Sequence, residues 1–433
     1  MKKKIFIYML LLLPAFLCQS CLKDQEDLFD KDAGLRVQEL ANSAEKTLNN
    51  SEHGWVLNYF PDESQQYGGY AYTLQFEDGI ARVGFELEPG KFEESEYSLK
   101  SYSSATLSFD TYNSLMHHFA TPSSGHTQGY HGDFEFTIDS VGENVVKVRG
   151  VRNKNVLYFT KLDESAEDYL AKVEKVSDEF FLPNYTGTVG TGEAKGTVDV
   201  DNRQLTITYN DGASSQKRPY VFTDKGIRFY EPMTINGGTL QEMEYDTQAY
   251  VLTGVTSKGE TVSLQGQLPE NYVHFDDYAG DYTFSYWDKP NGGYYMNVSV
   301  TLVPSADKKS YLMKGLNDKY DIVLNYNKTT GVLEMKVQDL AEVDGKTLVL
   351  AAWIYGGSSS WGKESGMVTV WNGDAEHPEY QFASNSFKDF VADSFTLRFR
   401  DASGNYSQVP DSYTSWYIKG YSHISQVGKL VKK

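Results

Sequence analysis

Cysteine is nearly missing from this chain. Cys18 and Cys21 are the only two among 433 residues, so everything after residue 21 lacks a thiol for a disulfide, a thiolate metal ligand or a nucleophile. Long apolar runs are missing as well. The longest, Ile5 to Leu17, has 13 residues, short of the roughly 20 that a spanning helix needs. Positive charge is in deficit, with 40 basic side chains against 59 acidic ones and a net charge of −19. Such a field repels nucleic acid and anionic head groups, so a nucleic-acid partner is not expected. Several catalytic signatures are absent too: no His-Glu-x-x-His, no Gly-x-Ser-x-Gly, no phosphate-cradling Gly-Lys-Ser/Thr loop and no dinucleotide fingerprint after a strand.

Aromatic residues are abundant, with 32 Tyr, 23 Phe and 6 Trp. Strands favour rings and β-branched side chains, so the composition points to a mainly β protein with minor α content. Most of the rings would fill cores, and a few would face a ligand.

The first 30 residues carry a separate message. Lys2, Lys3 and Lys4 precede the apolar run, and Gln19 and Ser20 lead into Cys21. This charged, apolar, small-residue order resembles a bacterial lipoprotein signal, which implies removal of residues 1–20 and lipidation of Cys21. The remaining chain would carry 37 basic and 59 acidic groups, a net −22. Acyl chains contribute about 0.8 kcal/mol per buried methylene, and two or more hold a protein durably on a bilayer. The expected partner is therefore a membrane, reached through a lipid anchor. The acidic stretch Leu22 to Asp27 resembles the surface-export signal of Bacteroidota lipoproteins, which implies the outer face of the outer membrane; the alternative is a merely solvated tether.

Along the rest of the chain the expected organisation is an acidic tether at 21–28, a helix plus β domain at 29–180, a middle β domain at 181–269 and a C-terminal β domain at 270–433. From Phe29 to Asn50 the apolar residues Val37, Leu40, Ala41, Ala44 and Leu48 recur at three- and four-residue steps, predicting a helix against a sheet. From Gly54 the period becomes that of strands: Trp55–Phe60, Ala71–Phe76, Ile80–Leu87, Ala105–Phe109, Val145–Val151 and Val156–Thr160. A short helix is predicted at Thr111–Phe119. An acidic amphipathic helix within Leu162–Phe180 would place Tyr169, Leu170, Val173 and Val176 on one side. Further on, Phe395, Leu397 and Phe399 alternate as a strand. The pattern fits antiparallel meanders, or lipocalin-like barrels or sandwiches, with an N-terminal helix. Tyr185 with Gly187, and Tyr278 with Gly280, both open strand-rich units. This opening resembles that of lipocalin-like barrels, in which glycine lets the first strand bend.

Together the lipoprotein start, the early helix, Gly54-Trp55 leading to Tyr59, Gly68-Gly69-Tyr70, Phe76 with Asp78-Gly79, and Gly132-Asp133-Phe134-Glu135-Phe136 resemble a family of Bacteroidota lipoproteins containing a domain of unknown function. The resemblance covers mainly residues 28–180, and extends toward 270. It implies nutrient capture at the cell surface beside SusC-like and SusD-like uptake partners, and it supplies no catalytic residues and no cofactor.

Three constellations compete for function. His117, His118, His126 and His131, with Asp133 and Glu135 beyond, offer imidazole and carboxylate; solvated loop histidines are the plainer account, and no metal is assigned. Paired carboxylates such as Asp276-Asp277 or Glu242 with Glu244 could serve a hydrolase, or be surface charge. Rings beside glycine turns are the third: Tyr286-Trp287 and Tyr294-Tyr295 flank one turn, and Trp353, Tyr355 and Trp361 flank another. Sugar rings stack their C–H faces on such side chains, and loops on a rigid sheet commonly carry binding residues. The expected function is a non-catalytic accessory of nutrient uptake whose ligand is a polysaccharide; the alternatives are a hydrolase and a structural docking subunit without a ligand.

Overall fold

Asp32 opens the described structure, its carboxylate accepting the Gly34 N–H at 2.7 Å and capping the helix α1 (Ala33–Asn49). The computed structural model describes residues 32–101, 103–288 and 293–433, and Cys21 therefore lies outside the described residues. Contacts divide the chain into two units, one ending at Gly266 and one beginning at Gln267.

In the first unit, strands β1 (Trp55–Tyr59), β2 (Tyr70–Glu77), β3 (Ile80–Phe85), β4 (Phe92–Ser101), β5 (Ala105–Phe109), β7 (Glu135–Val141), β8 (Val145–Gly150) and β9 (Val156–Lys161) close into an antiparallel barrel, with the short β6 (Thr127–Tyr130) off the path. Strand alternation turns Trp55, Leu57 and Tyr59 inward against Tyr72, Phe85 and Phe136, so the interior is a packed core and not a calyx. The apolar stripe of α1, with Ala41, Ala44 and Leu48 buried, touches β2, β4, β5 and β7. These strands are spread around the barrel, so the helix lies across one mouth, and Leu48 O accepts the Trp55 indole N–H at 2.9 Å.

The opposite mouth is stoppered by Leu115, Met116 and Phe119, all buried. The segment Thr111–Phe119 that supplies them is a run of turns and not the predicted helix. Asn113, 1 % exposed, accepts the N–H groups of Leu115 and Met116 on its side chain as a helix cap does, and donates to Glu93 O, but the turn it opens is short. The Phe119 carbonyl then takes N–H bonds from Tyr130 and Gly132 instead of continuing a helical ladder.

The acidic segment forms α2 (Ala166–Glu179), capped by Ser165 and burying Tyr169, Leu170, Val173 and Val176 against β2 and β3. It leads to a second closed barrel: β10 (Asn184–Val189), β11 (Gly192–Asp199), β12 (Gln204–Tyr209), β13 (Ser214–Phe222), β14 (Gly226–Ile235), β15 (Gly238–Asp246), β16 (Val251–Val255) and β17 (Thr261–Gly266). Glycine is required where β10 meets β17, because a Cβ on Gly187 would stand 1.9 Å from the Ser263 carbonyl oxygen. The two barrels of this unit are joined by a buried ion pair between Arg203 and Glu86 and by Gly69 N–H to Tyr220 O at 2.9 Å.

The second unit holds a third eight-stranded closed barrel, of β18 (Gly280–Asp288), β19 (Tyr294–Pro304), β20 (Ser310–Lys314), β21 (Ile322–Asn327), β22 (Val332–Lys336), β26 (Gly366–Trp371), β27 (Glu379–Ser384) and β31 (Val427–Lys432). Gly280, at φ +133°, starts it in a conformation closed to other residues. Two excursions leave this barrel. The first contributes β23 (Gln338–Val343), β24 (Lys346–Trp353) and β25 (Ser359–Ser360); the second contributes β28 (Ser394–Arg400), β29 (Tyr406–Gln408) and β30 (His423–Ile424). They zip together as a separate six-stranded sheet of order β23-β24-β28-β29, with β25 on β24 and β30 on β28. The chain is thus mainly β, with few helices and three antiparallel barrels, the barrel alternative among the architectures the sequence allowed.

Candidate ligand-binding face

The six-stranded sheet has two faces of different chemistry. Leu348, Leu350 and Ala352 of β24, with Phe395, Leu397 and Phe399 of β28, turn to the core of the second unit. The alternate residues share the other face, where register sets them in rows. Ser359, Trp353 and Ser394 form one row; Ala351, Thr396 and His423 the next; then Asp339, Val349, Arg398 and Gln408; then Glu342, Thr347, Arg400 and Tyr406. Small residues form its floor. Val349, Ala351, Ser394 and Thr396 are each 4 % exposed or less, and Val349 packs with the core of the second unit.

Rings form the rim. Trp361 stacks on Tyr406 with centroids 4.1 Å apart and planes at 16°, and is 38 % exposed. Trp353 lies 5.2 Å from Tyr355 and 5.8 Å from His423. The glycine turn between Trp353 and Trp361 is held from within. Trp353 Nε1 donates to Gly357 O at 3.2 Å, the Tyr355 N–H bonds Asp393 Oδ1 at 2.8 Å, and Gly356 supplies a φ of +73°. Charge is placed among the rows as well. Arg400 makes a two-pronged pair with Asp339 at 3.0 and 2.9 Å, and Lys363 reaches the same carboxylate at 3.1 Å. Burial alone would raise the Asp339 carboxyl; the bonds from Arg400 and Lys363 overcome it and hold the group below the usual carboxylate range.

The structure thus sets Trp353 with Tyr355 and His423 in one ring cluster, and Trp361 with Tyr406 in another. It separates the other predicted rings. Trp287 pairs with Tyr295 across β18 and β19, centroids 4.9 Å apart, with Tyr295 59 % exposed. This pair is tied to the strap 423–427, since Trp287 N–H donates to Ser425 O at 3.0 Å, and the same strap bonds Asp393 O through Val427 N–H. Tyr286 is a correction: β18 alternation points it into the barrel, 2 % exposed and packed on Phe284, so it is a core residue and not a binding ring. The side chain of Tyr294 and the turn at 289–292 lie outside the described residues. Tyr406, His423, Arg398, Arg400 and Asp339 were not singled out from sequence. A signal existed for two of them, because the alternation of Phe395, Leu397 and Phe399 places both arginines on the opposite face of an acidic chain.

The histidines do not converge. The His117 ring stacks on Phe134 at 4.4 Å and His126 on Tyr130 at 4.2 Å, His118 packs against Phe85 and Phe119, and His131 Nδ1 bonds Asp62 Oδ2 at 2.8 Å. Burial lowers the pKa of both His117 and His118. Among the described residues no group of three or more His, Cys, Asp and Glu side chains is placed to share an ion. Asp133 accepts the backbone N–H groups of Arg152 and Asn153, and Glu135 the Ser108 hydroxyl. Of the carboxylate pairs, Asp276 bonds Lys308 and Glu242 bonds Arg228. Glu242 and Glu244 line a cleft of 470 Å³ between the two barrels of the first unit.

Residues 25–247 match the domain of unknown function DUF4302, which spans more than half of the chain. The chain belongs to the DUF4302 family. A second domain of unknown function, DUF4987, matches residues 255–398 and so ends within β28, short of β29 and β30. No curated protein matches the chain. Among solved structures it is similar to a protein of unknown function of the DUF3598 family from Nostoc punctiforme, at 8 % identity over 60 % of this chain and 98 % of that one, with a TM-score of 0.15. It is also similar to transferrin binding protein B from Neisseria meningitidis, at 10 % identity over 73 % of this chain and 62 % of that one, with a TM-score of 0.12. Scores this low carry no functional argument. Among the described residues no helix is long and apolar enough to cross a membrane.

Proposed function

We propose that this DUF4302 protein is a lipid-anchored lipoprotein of the outer-membrane surface, carried on Cys21, which captures a glycan as a non-catalytic accessory of a SusC/SusD-type uptake system. The observation that carries the binding part is the ring-rimmed face of the C-terminal sheet, where Trp353, Tyr355, Trp361, Tyr406 and His423 surround a floor of small residues. A pyranose laid on Trp361 would cover apolar C–H surface, while Gln408, Lys363 and Arg400 offer donors for its hydroxyls. The Bacteroidota setting and the uptake partners rest on the resemblance of the N-terminal residues.

The test is affinity electrophoresis of the protein from residue 22 onward against a panel of polysaccharides, with Trp353→Ala, Trp361→Ala and Trp287→Ala alongside. Retardation lost in Trp361→Ala or Trp353→Ala and kept in Trp287→Ala supports the sheet face. Retardation lost only in Trp287→Ala moves the site to the barrel edge beside Tyr295. The absence of retardation on every glycan refutes the binding reading and leaves a docking subunit.

A further inference from the structure

Arg398 occupies the middle of the same face, and its surroundings differ from those of its neighbour. Arg400 spends its guanidinium on Asp339. Among the described residues Arg398 makes one side-chain bond, from Nη1 to the carbonyl of the preceding residue, Leu397, at 3.3 Å, and pairs with no carboxylate. It is half-buried, and burial lowers its pKa with no neighbouring acid acting against that. A guanidinium has five donors in a planar fork, and partial burial leaves water to satisfy only some of them. Across the sheet its neighbours in the row are Val349 and Gln408. One step along the strand stand Thr396 and Arg400, whose row partners are His423 and Tyr406. Locally three cations, Arg398, Arg400 and Lys363, share the face with two carboxylates: Asp339, which takes Arg400 and Lys363, and Glu342, which takes the Thr347 hydroxyl. A solvated arginine would ordinarily sit at a rim. This one is set half-buried into the face, one residue pair along from Arg400 and Tyr406.

We infer that Arg398 is a specificity residue for an acidic glycan, its fork receiving the carboxylate of a uronic acid whose sugar ring rests on the Trp361–Tyr406 stack. This rests on the glycan-binding reading given above. A hexuronate carries its carboxylate at the edge of the pyranose, so ring stacking and a two-pronged guanidinium–carboxylate contact act on the same sugar. Arg398 can offer that contact without surrendering an existing ion pair, whereas Arg400 would have to leave Asp339.

The experiment is isothermal titration of the protein from residue 22 onward with polygalacturonate, with its fully methyl-esterified form, and with dextran sulfate. The variants are Arg398→Gln, Arg398→Lys, Arg400→Gln and Trp361→Ala, each checked by thermal melting. The expected result is that polygalacturonate binds at least tenfold more tightly than the ester. Arg398→Gln should remove that difference by losing roughly 10–100-fold for the acid alone, as expected for a charge-assisted bond. Arg398→Lys should keep part of it, and Trp361→Ala should lose both polymers. If the ester or neutral glycans bind as well as the acid and Arg398→Gln changes neither, the inference is overturned and the glycan reading stands. If the acid binds and only Arg400→Gln weakens it, the assignment to Arg398 is overturned. Binding of dextran sulfate without polygalacturonate overturns the choice of a carboxylate, and no binding to any polymer or to the wider glycan panel overturns both readings.

Discussion

The ion pair between Arg203 and Glu86 is the sharpest place to test how the first unit is held together. Arg203 comes from the second barrel and Glu86 from the end of β3 in the first, and their side chains are only 9 % and 2 % exposed. Arg203 Nη1 also donates to Gly69 O at 2.6 Å, and its guanidinium lies 4.0 Å from the Tyr70 ring and 4.8 Å from that of Phe222. Glu86 has one further partner, the Ala71 N–H at 2.9 Å. Removing one member of a buried pair leaves the other charge uncompensated, which costs about 3–5 kcal/mol. Arg203→Met keeps most of the apolar stem and removes the charge, so the loss should fall in that range. For a unit of this size it corresponds to a drop of roughly 6–20 °C in its thermal transition. The pH dependence adds a second check. Burial pushes the Glu86 carboxyl upward, while Arg203 and the Ala71 N–H pull it back. Without Arg203 the folded-state pKa lies further above the unfolded one. The cost is then present above the folded pKa and absent below the unfolded value, so it shrinks as the carboxyl takes up a proton. The gap between wild type and Arg203→Met should therefore narrow from pH 8 to pH 5, and Glu86→Gln in the same chain should recover part of the loss. Calorimetry at the two pH values decides it. A loss under about 1 kcal/mol, a gap that widens on acidification, or no recovery in the double variant would refute the reasoning.

Four further outcomes are expected. Gly187→Ala sets a Cβ against the Ser263 carbonyl oxygen and should destabilise the second barrel by the upper part of about 1–3 kcal/mol or more, measured by denaturant unfolding; a neutral change would mean the closing strands can part without cost. Asn113→Ala removes the acceptor of two buried N–H groups and should cost about 1–3 kcal/mol, whereas loss of a true helix would instead show as a fall in helical circular dichroism. At Asp62 burial raises the carboxyl, but the bonds from Ser64 and His131 outweigh it and the pKa is lowered. The stability it contributes is therefore present above the unfolded carboxylate pKa and is lost as pH falls through the folded one; Asp62→Asn should flatten the acid limb of a stability–pH curve below about pH 4. Trp361→Ala should cost no more than about 0.5–1.5 kcal/mol, the worth of its ring stack, while abolishing glycan retardation; a collapse of the fold would make Trp361 a packing residue.

The legible part of this protein was what depends on neighbours in sequence. Helix α1 and the acidic α2 could be placed because their apolar stripes recur at helical spacing. Most early strands could be placed because Trp55–Tyr59 or Ala105–Phe109 alternate or cluster between turn residues. Strand β4 was not singled out, since Phe92–Ser101 carries Glu93, Glu94 and Glu96 and reads as a loop until its partners cover one face. The local pattern of Thr111–Phe119 allows a helix, but the carbonyl of Phe119 is taken by the N–H groups of Tyr130 and Gly132, so the turn that Asn113 caps goes no further.

The ring clusters show the same division. Sequence alone placed Trp353, Tyr355 and Trp361 around one glycine turn, because a hairpin's shoulders are local. It could not separate buried Tyr286 from half-exposed Trp287, which are adjacent, until the register of β18 set which of them faces the barrel. It also could not join Trp361 to Tyr406 or leave Arg398 without an acid. Those facts belong to pairings between strands far apart in the chain, β24 with β28 and β28 with β29, and side-chain period alone does not choose a partner strand. Composition and local period determined that this chain is β-rich, capped by helices and free of thiol chemistry after residue 21. The closure of three barrels, the separate sheet and the place of Arg398 at its centre were decided by long-range register, because hydrogen bonding across a sheet fixes which residues share a face.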